Sequence, residues 1–182
     1  VRGPLTRKKL LEQGVECPEI YGDPALLISR HYKPNVKKKY SIGIIPHRSN
    51  LETIHDFKVD GVPLSRCNDI LVIDLSNYVK WTDIIDQICS CENIISASLH
   101  GLIMAEAYKI SNVWIEFGKP LMGGHFKFHD FFLSIDRDRE SPLFIGDFNL
   151  NLKEVQKKLS SWQPGIINLQ PLIDSAPFPI KI

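Results

Sequence analysis

Four apolar runs punctuate the chain, each short, rich in β-branched residues and followed by a polar turn. The first is Tyr40 to Pro46 (YSIGIIP), the second Asp69 to Leu75 (DILVIDL), the third Asn93 to Ala97 and the fourth Ser111 to Phe117 (SNVWIEF). Their hydrophobicity is nearly continuous rather than alternating, which is the mark of strands covered on both faces, as in a parallel sheet. Helical spacing appears between them: Trp81, Ile84, Ile85 and Ile88 recur at intervals of three and four over Trp81 to Cys89. A second helix follows the third strand, through Leu102-Ile103-Met104-Ala105-Glu106-Ala107-Tyr108, and is apolar almost all round, so it should be covered on most sides. Strand–helix–strand–helix–strand predicts an α/β fold, a Rossmann-like parallel sheet with helices on both faces and right-handed crossovers.

The flanks are less regular. Pro4 suits a first helical turn, Leu5, Leu10 and Leu11 give that helix an apolar stripe, and Gly14 is a natural stop. Asp23 before Pro24 reads as an N-cap with a structural role. Residues 51 to 68 show no period. Phe126, Phe128, Phe131 and Phe132 should anchor a helix to the core. Asn151 to Ser161 reads as a polar helix striped by Leu152, Val155 and Leu159, and the tail from Ile166 to Ile182 as a last helix and an extended end. Val1-Arg2-Gly3-Pro4 looks like a strand end passing into a helix, which leads to the expectation that the chain, 1–182, is the second half of a longer protein.

Length and charge narrow the classes. With 182 residues the chain can build one sizeable core. A net charge of +1 gives no basic field of the kind a nucleic-acid binder needs. No apolar run reaches membrane-spanning length and no secretory signal opens the chain, so a cytoplasmic protein is expected. The four cysteines are sparse and fit a reducing compartment. Cys89 and Cys91 form one close pair without partnering ligands, and His125 and His129, at i and i+4, have no third ligand at fixed spacing. No metal site is expected.

The chemistry gathers at the carboxyl ends of the strands, where ligands of open α/β sheets bind. After the third strand comes Ser98-Leu99-His100-Gly101, a tight turn into a helix. Ser98 is placed to cap it, Gly101 to let the backbone come close to something, and His100 to meet an anion at the helix N-terminus. His47 follows the first strand and shares the edge with His100 if both strands are parallel. Arg2, ahead of a helix start, can clamp a carboxylate or phosphate bidentately. Glu116 lies near the end of the fourth strand, and Lys127 is a further cation for an anion.

Several blocks occur in a telling order: Arg2-Gly3-Pro4, Gly22-Asp23-Pro24-Ala25-Leu26-Leu27, Ile44-Ile45-Pro46-His47, and Ser96 through Tyr108 with Leu99-His100-Gly101 at its centre. Asn112-Val113-Trp114-Ile115-Glu116 and Gly124 to Asp130 extend them. Together they resemble the polysaccharide pyruvyl transferase family over roughly residues 1 to 135. Many members carry an arginine just before Leu-His-Gly, where this chain has Ser98; its work would fall to Arg2, Lys127 or an upstream residue.

The resemblance implies a GT-B-like enzyme of two Rossmann-type domains, this chain being the C-terminal one and the N-terminal domain lying outside it. It implies transfer of the pyruvyl group of phosphoenolpyruvate onto two hydroxyls of a sugar as a cyclic ketal, releasing phosphate, in the making of a cell-surface or exopolysaccharide precursor. No cofactor is expected; phosphoenolpyruvate is the donor substrate. The acceptor would be a sugar or lipid-linked glycan, met at the membrane periphery. His100 is the first choice for general acid, and His47 the second, as acid or base. Arg2, Ser98, Gly101, Glu116 and Lys127 are the binding candidates, with Asp23 a weaker one for sugar contacts or turn support. Two other readings stay open: a GT-B glycosyltransferase taking a nucleotide sugar, with Glu116 on its ribose, and a non-catalytic glycan-binding fragment.

Overall fold

A computed structural model describes residues 1–118, 123–137 and 140–178. Its centre is a five-stranded parallel sheet formed by β1 (Tyr40–Ile45), β4 (Ile70–Val72), β5 (Cys91–Ser96), β6 (Ser111–Phe117) and β7 (Leu143–Ile145). Two-residue strands β2 (Lys58–Val59), β3 (Val62–Pro63) and β8 (Asn149–Leu150) make a small second sheet at its side. Helices α1 (Pro4–Glu12), α2 (Ile28–His31), α3 (Trp81–Cys89), α4 (Leu99–Ala107), α5 (Phe126–Ser134), α6 (Leu152–Ser160) and α7 (Gln170–Asp174) surround the sheet.

The strand order is β4-β1-β5-β6-β7, and every pairing in this sheet is parallel. The chain leaves β1 for one neighbour, β4, then returns to the other side of β1 as β5. The order therefore reverses between β1 and β5, and a crevice opens outside their carboxyl ends. Register confirms the alignment, with Ile44 opposite both Val72 and Ile95, and Ile45 opposite Ser96.

Strand residues alternate between two cores. Ile42, Ile44, Ile95, Val113, Ile115 and Phe117 point into one, closed by Val155 of α6 and by Phe57. Ile45, Ile94 and Trp114 point to the opposite face, beneath α3, α4 and α5. Helix α4 is the most enclosed, burying Leu99, Gly101, Leu102, Ile103, Ala105 and Glu106. The carboxylate of Glu106, 2 % exposed, accepts from Asn112 Nδ2 at 2.8 Å, Trp162 Nε1 at 3.2 Å and the Gly165 amide at 2.9 Å, and pairs with Arg137. This cluster ties α4 and β6 to the segments that follow α5 and α6.

Several expectations need correcting. The leucine stripe of α1 is not a core face: the helix buries none of its residues, and Leu11 is exposed, because α1 is held instead by polar contacts with α5. The second strand shrinks to Ile70–Val72, since Asp74 turns back to accept hydrogen bonds from Ser76. The aperiodic stretch 51 to 68 holds 3-10 turns and the hairpin β2–β3. Of the four α5 phenylalanines, Phe128, Phe131 and Phe132 are buried, while Phe126 is half-buried beneath the Lys9 ammonium. The extended end falls in part on residues 179–182, outside the described residues.

Candidate functional site

A cavity of about 310 Å³ occupies the crevice outside β1 and β5, at the small end of the range for ligand sites. Arg2, His47, Ser98, His100 and Lys127 all line it, and so do Arg48 and Asp74. Five chain regions thus meet there: the approach to α1, the loop after β1, the turn after β4, the turn into α4 and the start of α5.

Arg2 is placed by its surroundings. Its carbonyl accepts from the Gly22 amide at 3.0 Å, and its Nε donates to Asp23 Oδ2 at 3.1 Å. Asp23 Oδ1 in turn accepts from the Ala25 amide, so one carboxylate both caps the turn at Pro24 and orients the guanidinium. Only Nε is used, and the two Nη groups make no hydrogen bond to protein among the described residues. Those are the atoms that form a fork on a carboxylate or phosphate. Gly3 fixes the height of this segment: a β-carbon there would sit 1.8 Å from the Asp130 carbonyl oxygen. Asp130, almost fully buried, accepts from the Thr6 amide at 3.0 Å and hydroxyl at 2.6 Å.

His47 follows Pro46 at the end of β1. Its Nδ1 accepts from the Ser49 amide at 3.3 Å and lies 2.8 Å from the Ser49 hydroxyl. In the neutral ring this leaves the proton on Nε2, so the free edge of the ring is a hydrogen-bond donor. Burial, and secondly the Lys127 ammonium, hold the His47 pKa below its ordinary value.

His100 sits in the first turn of α4 and is exposed to the cavity. Ser98 holds the N-cap position, yet its side chain makes no capping hydrogen bond. Ser96 instead fixes the N-cap backbone: its Oγ accepts from the Ser98 amide at 3.0 Å and donates to the Ser98 carbonyl at 2.8 Å, and it reaches none of the amides of the first helical turn. No side chain therefore caps α4, and its first amides and partial positive charge face the crevice. Gly101 is not at the cavity surface. Its close approach is to the sheet: a β-carbon would meet Ser96 Oγ at 2.4 Å and Ile45 at 2.9 Å.

Glu116 is not in the cavity wall; its Oε2 lies 2.8 Å from His125 Nε2 on the α5 side of the sheet. His125 and His129 both stand edge-on to Trp114, at 4.9 and 5.6 Å between ring centres. Among the described residues no three His, Cys, Asp or Glu side chains group as metal ligands. Burial pushes the Cys89 and Cys91 thiols up to about 11, which makes them poor nucleophiles and ligands at neutral pH.

Sequence reasoning misses Arg48 and Asp74. The signal for Arg48 is its place beside His47 in the loop after β1. Asp74 lies inside an apolar run, and only its turn with Ser76 aims it at the crevice. With Arg2, Arg48 and Lys127 against one carboxylate, Asp74, whose Oδ1 is already engaged, the cavity carries a positive bias suited to a small polyanion.

Comparison with known proteins supplies one relative and a family. The chain is 29 % identical over 133 residues to "Uncharacterized protein L143" of Acanthamoeba polyphaga mimivirus, covering 65 % of this chain and 41 % of that protein. It thus spans about two fifths of that relative's length. No solved structure matches. The family model described as Polysaccharide pyruvyl transferase matches residues 1–118, the stretch that supplies all the cavity residues except Lys127. By that match, over more than half its length, the chain belongs to the polysaccharide pyruvyl transferase family.

Proposed function

We propose that the cavity binds phosphoenolpyruvate and that the protein transfers its pyruvyl group to a sugar. The supporting observation is the convergence of Arg2, His47, His100 and Lys127 at the switch point of the sheet, beside the uncapped start of α4. Phosphoenolpyruvate is small and carries about three negative charges near neutral pH, and arginine forks, lysines and free helix amides suit its two anionic groups.

The reaction sets the roles. A proton must reach the terminal methylene carbon, turning it into a methyl group, as a sugar hydroxyl oxygen bonds to the neighbouring carbon. The bond from that carbon to the phosphate oxygen then breaks, and a second hydroxyl oxygen closes the ketal. Of the two hydroxyl protons lost, one balances the proton in the methyl group and the other leaves with phosphate. His100, exposed at the helix start, is the proton donor. His47, with Nε2–H free, hydrogen-bonds to the bound anion. Arg2 and Lys127 hold the carboxylate and phosphate. Asp74, the sole carboxylate in the wall among the described residues, receives the hydroxyl proton.

The nucleotide-sugar alternative needs a free carboxylate after the fourth strand, and Glu116 is engaged by His125. Calorimetric titration separates the readings. Phosphoenolpyruvate should bind the protein and lose affinity in Arg2→Ala and His100→Ala, whereas UDP- and GDP-sugars should not compete. Competition by a nucleotide sugar, with no heat from phosphoenolpyruvate, overturns the proposal. A pure binding module would keep its ligand in His100→Ala and show no phosphate release.

A further inference from the structure

A second cavity, of about 330 Å³, adjoins the first. His100 and Leu75 line both, so the two are neighbours across one imidazole. Their chemistry differs sharply. Among the described residues no Lys, Arg, Asp or Glu lines the second; apart from His100 its wall is aliphatic and aromatic, with Tyr78, Trp81 and Met104 prominent. Tyr78 and Trp81 are 54 % and 52 % exposed, an arrangement that folding alone does not call for, because α3 buries Ile84, Ile85 and Ile88 instead. Exposed aromatic surface bordering a polar cleft marks a binding site.

Trp81 is also held firmly. Its ring meets Tyr32 edge-on, with centres 5.4 Å apart. The Tyr32 hydroxyl donates to Asp86 Oδ1 at 2.7 Å, and the Tyr32 carbonyl accepts from Tyr108 at 2.8 Å. A fixed, half-open indole loses little freedom when something stacks on it. A pyranose offers what such a surface recognises: one face of polarised C–H bonds for an aromatic π cloud, and a rim of hydroxyls for the polar side.

We infer that the second cavity is the acceptor subsite: one neutral pyranose ring of the glycan packs on Trp81 and Tyr78 with two hydroxyls turned towards His100. This rests on the reading of the first cavity as the phosphoenolpyruvate site. The absence of lysine and arginine from the lining among the described residues selects a neutral sugar over a uronic acid or a sugar phosphate.

The test is binding of methyl glycosides of glucose, galactose and mannose, followed by NMR of the indole N–H groups, with the Trp81 signal assigned from Trp81→Phe. At millimolar glycoside the Trp81 signal should move. Trp81→Ala and Tyr78→Ala should each weaken glycoside binding about tenfold, and Trp81→Phe should keep most of it. Phosphoenolpyruvate affinity should be unchanged in all three. Tyr78 precedes α3, so its variant tests the subsite even if Trp81→Ala disturbs the helix. The inference is overturned if no glycoside binds, or if glycoside affinity ignores both alanine variants, while phosphoenolpyruvate still binds. Glycoside binding at Trp81 without any phosphoenolpyruvate binding would instead uphold the sugar subsite and defeat the donor reading.

Discussion

At the scale of single residues the cavity works by leaving polar atoms unspent. Arg2 gives Nε to Asp23 and keeps its two Nη groups, and His47 gives Nδ1 to Ser49 and keeps Nε2. Arg2→Ala should therefore weaken phosphoenolpyruvate binding roughly ten- to hundredfold, and Arg2→Lys should restore only part, because an ammonium cannot reproduce the fork. Titration calorimetry on both variants checks this. His47 makes a second prediction. Burial and Lys127 lower its pKa in the folded protein, so folding favours the neutral ring. The unfolded chain then binds more protons, and stability conferred by His47 is complete above its unfolded value and lost as pH falls through the folded one. Urea unfolding measured from pH 7 to pH 5 should show that slope in the wild type and less of it in His47→Gln. A bound anion opposes both causes, so inorganic phosphate or phosphoenolpyruvate should raise the His47 midpoint in an NMR titration, and Lys127→Met should raise it without ligand.

At the scale of elements the site depends on how closely α4 and α1 approach their supports. Gly101→Ala places a methyl group against Ser96 Oγ and Ile45 of the adjoining strands. The helix must lift from the sheet, at a cost of about 1–3 kcal/mol, carrying His100 with it. Chemical denaturation should show the loss, and phosphoenolpyruvate affinity should fall further than stability alone accounts for. Which elements can be read from sequence follows the same physics. β1, β5 and β6 are covered on both faces, so Ile44, Ile95 and Ile115 stand in unbroken apolar runs. β7 is an edge strand of three residues with Phe144 exposed, and β2, β3 and β8 have two residues each; none is long enough for a period to form. The stripe on α1 misleads because leucines at helical spacing signal burial only when a partner surface exists, and α1 meets α5 through Thr6 and Asp130 instead. The loops after β1 and β5 are legible because parallel strands put their carboxyl ends on one edge. The Arg2–Asp23 pair and the turn of Asp74 come from contacts that no periodicity encodes.

At the scale of the whole molecule, the sheet fixes the positions of His47 and His100, while the long loops and the C-terminal third hold the enclosing parts in place. Glu106 is the link. It lies on the same helix as His100, two turns on, and its buried carboxylate gathers Asn112 from β6, Arg137 after α5, and Trp162 and Gly165 after α6. Arg137 has a second counter-charge in Glu140, whose Oε1 accepts from the guanidinium Nε at 3.0 Å and Nη2 at 2.6 Å, so loss of Glu106 strands buried donors rather than a bare charge, at a cost of about 1–3 kcal/mol. Glu106→Ala should therefore lose stability on that scale, since Arg137 Nη1, Trp162 Nε1 and the Gly165 amide lose their acceptor while Asn112 keeps the Ile110 carbonyl. Glu106→Gln should fall between, because its carbonyl oxygen still accepts from the neutral donors while Arg137 keeps Glu140 alone as counter-charge. Unfolding followed by the Trp162 indole N–H signal in NMR should respond earlier in urea than far-ultraviolet circular dichroism in Glu106→Gln, since the segments after α6 detach before the sheet melts. Coincident transitions by both probes would instead mean that the C-terminal segments and the sheet unfold as one unit.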